Sequence, residues 1–257
     1  MDWFVRFNNV ITIISFVVNA ILIVKVMEKG YAYFTKKRYV KKVLGYNKEA
    51  IQISFSVFEK KETDNTNTNF VTYSGIVAIN NIITLLTNIN YKFYLSERKN
   101  EAKNEMNIGG FYANKIVNAY FIQYFANFKY LTGNDRKEVY EKHYADMRMF
   151  QFTEDGTKGF MVGDVFLEVA DRITDFAFFI KLVESDFNND NEKTVHIVFG
   201  GTAIGTIKAT EYLLQHCKQI YEMYGEKHYF FALEINLLDN SINYSRGIID
   251  LTNEMFE

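Results

Sequence analysis

Two short segments carry the residues best suited to hold a ligand. In the first, a strand ending near Ile108 runs into Gly109-Gly110, and Asn114 and Lys115 open a helix. In the second, the apolar run Val195 to Phe199 ends in Gly200-Gly201-Thr202-Ala203-Ile204-Gly205-Thr206, which enters another helix with Lys208 near its start. Glycines let a backbone approach a ligand closely, and the amides and dipole of a helix start favour an anion. Thr202 and Thr206 could add hydroxyl donors, and Lys115 and Lys208 could neutralise phosphate charge. Neither segment is a known fingerprint. No Lys-Ser/Thr follows the final glycine as in a Walker A loop, and the spacing is not G-x-G-x-x-G. The same glycines would also serve tight turns and close helix–strand packing, and both readings stand at this point. Adjacent strands could aim both turns at one crevice.

Catalytic chemistry is not spelled out. The four histidines, His143, His196, His216 and His228, form no HExxH motif and no i, i+4 pair. With Cys217 as the single cysteine, no structural zinc site is written in the chain. There is no G-x-S-x-G elbow, kinase set or deaminase signature. His216 and Cys217 are neighbours in a helix, so their side chains diverge. Asp164, Glu168, Asp171 and Asp175 could gather a cation but read more simply as a solvated face. No catalytic residue, metal site or cofactor is therefore assigned, and a nucleotide ligand is the chemistry the glycine turns suggest.

The elements that must position these turns alternate. Ile51–Phe58 reads as a strand, followed by a solvated loop over Glu59–Asn69. Ser74 can cap a helix to about Asn88 with Ile76, Ile79, Ile83 and Leu86 on its apolar face. Strands are expected over Tyr91–Leu95 and near Asn107-Ile108, then a helix over Tyr112–Phe125. Residues 128–172 are mixed, with a hairpin over Gly159–Val169. Strands over Asp175–Val183 and Thr194–Phe199, a turn over Asn188–Asn191, a helix over Ala203–Cys217, a strand over Tyr229–Asn236 and an edge strand within Ile242–Leu251 complete the chain. Strand–helix alternation predicts an α/β fold, a Rossmann-like, largely parallel sheet with an irregular or antiparallel insertion.

The N-terminus has a different character. From Phe7 to Val24 there is no charge, and eighteen residues of helix span about 27 Å, near the thickness of a bilayer core. Asn8, Thr12, Ser15 and Asn19 recur at helical spacing, a polar face suited to meeting another helix or water rather than lipid. Lys25, Lys29, Lys36, Lys37, Arg38, Lys41 and Lys42 follow the run, against Glu28, so the positive-inside rule puts the C-terminal side in the cytoplasm. A cleaved signal peptide would carry its charge before the apolar run. These signs predict a single transmembrane anchor over 1–27, a basic juxtamembrane segment over 28–48 that can face anionic lipid, and a cytosolic α/β ligand-sensing domain over 49–257. The expected location is the inner membrane, single-pass.

Composition narrows the rest. A net charge of -2 gives no global field for nucleic acid, and no direct DNA binding is expected. One cysteine excludes an intramolecular disulfide. Aromatics at 17% support a packed core rather than disorder.

A basic-flanked anchor joined to such a domain resembles the membrane-bound effectors of prokaryotic nucleotide-signalling and antiphage systems, among them CRISPR-associated Rossmann-fold proteins with a transmembrane helix. The resemblance rests on Phe7–Val24, Ile108–Lys115 and Val195–Thr210, is architectural, and covers the chain loosely. It implies a nucleotide sensor, cyclic nucleotides included, whose ligand rearranges a homo-oligomer and so acts on the membrane. The expected partners are the membrane, a second copy of the chain and a nucleotide second messenger. Two other classes stay open: a membrane-tethered enzyme on a nucleotide or phosphorylated small molecule, and a ligand-free adaptor.

Overall fold

The computed structural model describes residues 22, 24, 25, 27, 28, 30, 31, 33–45, 49–61, 67–96, 103–111, 113–125, 128–131, 159–170, 172–183 and 193–256. Its centre is an eight-stranded mixed sheet. Three strands come from the first half of the chain: β1 (Ile51–Phe55), β4 (Phe93–Leu95) and β5 (Asn104–Ile108). Four come from the second: β9 (Thr174–Val183), β10 (Thr194–Gly200), β11 (Tyr229–Asn236) and the short β12 (Ser241–Ile242). The order is β4-β1-β5-β10-β9-β11-β12, and β13 (Ile249–Asp250) adds to β11. Two smaller antiparallel sheets stand apart: β2 (Phe58–Lys61) with β3 (Asn67–Phe70), and β6 (Phe128–Leu131) with β7 (Gly159–Val162) and β8 (Val165–Glu168).

The sheet is parallel only in part, which corrects the expectation of a largely parallel one. β4, β1, β5 and β10 pair in parallel, whereas β9 runs antiparallel between β10 and β11. The reason is local. A parallel neighbour needs a crossover, usually a helix. The chain between Val183 and Thr194 has a turn composition and no helical period, so β10 folds back beside β9, pairing Thr194 with Val183.

Helices cover both faces. On one lie α1 (33–44), α2 (Tyr73–Asn88) and α4 (Ala203–Tyr224). On the other lie α3 (Lys115–Tyr124), the β6–β8 sheet and the short α5 (Thr252–Phe256). α2 buries Ala78, Ile79, Ile82, Leu85 and Leu86 and leaves Ile76 exposed. Asn81 of α2 donates to Thr210 Oγ1 of α4 at 3.0 Å. α4 runs past Cys217 to Tyr224 through a bend at His216. Its Cys217 thiol is buried and pushed up to about 12 by that burial, so it is no reactive nucleophile. The opposite face is aromatic: Phe111, Phe121, Phe160, Phe178 and Phe199 interlock, with Phe178 stacked on Phe199 at 4.8 Å between centroids.

The expected N-terminal transmembrane helix, and with it the single-pass inner-membrane location, is also corrected. Among the described residues no helix is long and apolar enough to cross a membrane. The described residues of 22–44 are helical but include Lys25, Glu28, Lys36, Lys37, Arg38, Lys41 and Lys42, too many charges for a span. The end of α1 instead joins the core, with Val40, Val43 and Leu44 at most 1% exposed. The polar positions Asn8, Thr12, Ser15 and Asn19, and most of Phe7–Val24, lie outside the described residues.

Candidate functional site

β1, β5 and β10 are parallel neighbours, so their carboxyl ends open at one edge. The chain leaves β1 through α2 toward β4 on one side and leaves β5 toward β10 and β9 on the other. Such a reversal is where open α/β sheets leave a crevice for ligands. A crevice of about 240 Å³ lies there, lined by Phe55, Ser56 and Phe58 after β1, Ile108, Gly109, Gly110 and Ala113 after β5, and Gly200, Gly201, Thr202, Ala203 and Thr206 after β10. Thr72, Ser74 and Gly75 at the start of α2 complete it. No titratable side chain is among these residues.

The two glycine turns thus meet, as adjacent strands allow. Six of the ten expected ligand residues line the crevice: Gly109, Gly110, Gly200, Gly201, Thr202 and Thr206. The other four do not. Asn114 is buried and caps α3, accepting from the amides of Ile116 and Val117 at 3.0 and 3.3 Å. Its amide nitrogen donates to Ile108 O at 3.2 Å and Ser54 Oγ at 3.3 Å, tying the first turn to β1. Lys115 is exposed and off the crevice. Gly205 is buried within the first turn of α4, against Asp175 and Gly200, and Lys208 is paired with Glu211 at 2.7 Å.

The second turn is closed upon itself. The Gly200 amide donates to Thr206 Oγ1 at 3.0 Å, Gly201 to Phe176 O at 3.2 Å, and Thr202 to Asp175 Oδ2 at 2.8 Å. Thr202 Oγ1 donates to the same carboxylate oxygen at 2.7 Å and accepts from the Gly205 amide at 3.2 Å. Thr206 Oγ1 donates to Thr202 O at 3.2 Å. Both hydroxyls and four amides that resemble a phosphate cradle therefore already have partners. The glycines are required by packing. A Cβ at Gly200 would overlap the Gly205 backbone, and one at Gly201 would overlap Asp175 and approach Phe160 Cζ to 2.9 Å.

Asp175 governs this turn. It is wholly buried at the start of β9, beneath the N-terminus of α4. Burial pushes its carboxyl up from the usual range, while the bonds from Thr202 pull it back down. A carboxylate so placed satisfies the positive end of a helix. Asp175 is thus no part of a solvated acidic face. Among the described residues no group of three or more His, Cys, Asp and Glu could hold a metal.

The first turn is more open. Gly109 has φ +100 and donates its amide to Val198 O at 3.0 Å. Among the described residues the Gly110 amide has no acceptor, and a Cβ there would meet Phe199 only at an ordinary 3.5 Å. The wall from β1 and α2 was not legible in advance. Thr72, rather than Ser74, caps α2, accepting from the Gly75 amide at 3.1 Å. Phe55-Ser56 closes a strand as the two glycine turns do, but without glycine nothing marked it.

Two buried polar clusters lie elsewhere. On the α3 face, Glu105 takes the Tyr120 hydroxyl at 2.9 Å and Lys193 at 2.7 Å, at the far end of β5 from the crevice. On the α1 face, His196 lies beside Lys181, with Nε2 3.2 Å from Val43 O. Both dock elements onto the sheet. No family model matches the chain, and no curated protein or solved structure matches it either.

Proposed function

We propose that this chain is a nucleotide-binding sensor domain that binds its ligand in the crevice at the ends of β1, β5 and β10 and does not transform it. The observation that carries the reading is the crevice's lining: small residues, hydroxyls and aromatic rings at the reversal point of the sheet, with no carboxylate, imidazole, amine or thiol to act as acid or base or to activate a hydroxyl. Ligand sites are mostly apolar and concave with few polar groups, as here. At about 240 Å³ the space suits a compact ligand or one end of a larger one. The resemblance to prokaryotic nucleotide-signalling sensors favours a nucleotide over other small molecules. Binding reaches the rest of the fold through rigid elements, because α4 extends from this edge across to Tyr221, which contacts Lys42 of α1 at 2.8 Å. A ligand that prefers one packing of α1 against α4 would shift that equilibrium.

The test is a thermal-shift screen of the full chain against mononucleotides, dinucleotides and cyclic oligonucleotides. A ligand at a hundredfold excess over Kd stabilises the fold by about 2.7 kcal/mol. A selective shift is expected with unchanged nucleotide recovered afterwards, and it should vanish in Ala203→Trp, a substitution at an exposed lining position. No shift with any nucleotide, or its conversion to product, contradicts the reading.

A further inference from the structure

We propose that the crevice reads the uncharged nucleoside end of its ligand, base and sugar, and leaves the phosphates outside in solvent, with Asp175 enforcing that choice. The inference rests on the sensor reading above and deepens it. A phosphate cradle is strongest where a helix start has no anion of its own and a cation lies nearby. The β10–α4 turn has neither. Its Gly200, Gly201, Thr202 and Gly205 amides are bonded within the fold, and so are the hydroxyls of Thr202 and Thr206. The positive end of α4 already holds the Asp175 carboxylate, one hydrogen bond behind the lining residue Thr202. A phosphate at this turn would face that buried carboxylate in a medium that screens it poorly. Lys208, the nearest cation in sequence, is paired with Glu211 and off the crevice.

What remains suits a planar, uncharged group. Phe55, Phe58 and Ile108 present apolar surface, and base–aromatic stacking tolerates any base. The hydroxyls of Ser56 and Ser74 and the Gly110 amide can meet the edges of a base or a sugar. Specificity then comes from base and sugar, while phosphate number sets a penalty.

Calorimetric titration of the full chain at pH 8 with the four ribonucleosides, their 5′-monophosphates and their 5′-triphosphates tests this. For the preferred base, the nucleoside should bind within threefold of the monophosphate, and the triphosphate at least tenfold more weakly. Millimolar inorganic phosphate should not displace the nucleoside. In Asp175→Asn the triphosphate deficit should shrink at least fivefold while nucleoside affinity holds. Should that variant fail to fold, the wild-type chain carries the test by itself, through the order of affinity of nucleoside, monophosphate and triphosphate. Affinity that rises with each phosphate, or displacement by inorganic phosphate, overturns the inference while leaving the sensor reading intact. Binding of none of the twelve compounds overturns both.

Discussion

The turn after β5 and the turn after β10 look alike in sequence, sit side by side in the sheet, and differ in how their backbones are used. In Gly109-Gly110 one glycine supplies a positive φ, and the other lines the crevice with an amide that has no acceptor among the described residues. In Gly200-Gly201 the glycines bring the start of α4 against β9 and β10, and the amides of Gly200, Gly201, Thr202 and Gly205 have internal partners. A glycine-rich strand–helix junction is thus not by itself a phosphate site. The deciding residue is Asp175, which lies 27 positions before Thr202 in the chain and reaches the turn only through the antiparallel pairing of β9 with β10.

The sharpest way to break this comparison is to add one methyl group at each turn. Gly200→Ala should lose about 3 kcal/mol in urea unfolding, because the new Cβ meets backbone that cannot move aside. Gly110→Ala should change stability by less than about 0.5 kcal/mol. Equal losses would mean that the two turns are packed alike.

The caps give the next contrast. Thr202→Val removes the α4 cap together with the hydroxyl donor to a buried carboxylate, leaving the amide donor in place, and should cost about 2 kcal/mol. Thr72→Val removes a cap that serves the helix end and one neighbouring hydroxyl, and should cost about 1 kcal/mol in the same unfolding measurement. A smaller loss at Thr202 than at Thr72 would remove Asp175 from its role.

Acid titration separates two buried groups around the second turn. β10 carries His196, whose ring is held neutral by burial first and by Lys181 second, with its pKa lowered from 6.5 to about 3. The folded state then binds fewer protons than the unfolded one between those values. Its stability contribution is present above pH 6.5 and is lost as pH falls toward 3, by at most about 1.4 kcal/mol per pH unit. Asp175 works in the other direction. Its raised folded value means that its contribution is present below the usual carboxylate range and is lost as pH rises through that folded value. Urea midpoints measured from pH 7.5 to 4 should therefore fall on acidification, and His196→Gln should flatten the slope. An unchanged slope in that variant would place the titrating group elsewhere.

Much of the frame was legible because local chemistry and final structure agree. The apolar runs of β1, β9, β10 and β11 sit near where patterning puts them. The convergence of the two glycine turns also followed from strand adjacency. The direction of β9 was not legible, because a fully buried strand such as Phe176–Leu182 reads the same whether its neighbours run with it or against it. The closure of the second turn was hidden for a related reason. It depends on Asp175, and a lone aspartate before an apolar strand carries no sign that it ends beneath a distant helix. The apolar period at the N-terminus looked sufficient for a membrane span, yet the described helix continues through a basic segment into the core at Val40, Val43 and Leu44.

The most direct test of the central claim is an amide spectrum of the full chain, labelled with nitrogen-15 at its 14 glycines and titrated with the nucleotide that gives the largest thermal shift. The account predicts that Gly110 moves most, while Gly200 and Gly205, bonded within the fold, hold their positions. A large downfield movement of Gly200 or Gly201 with Gly110 still would show the second turn opening onto a phosphate, and would contradict the division of labour between the two turns.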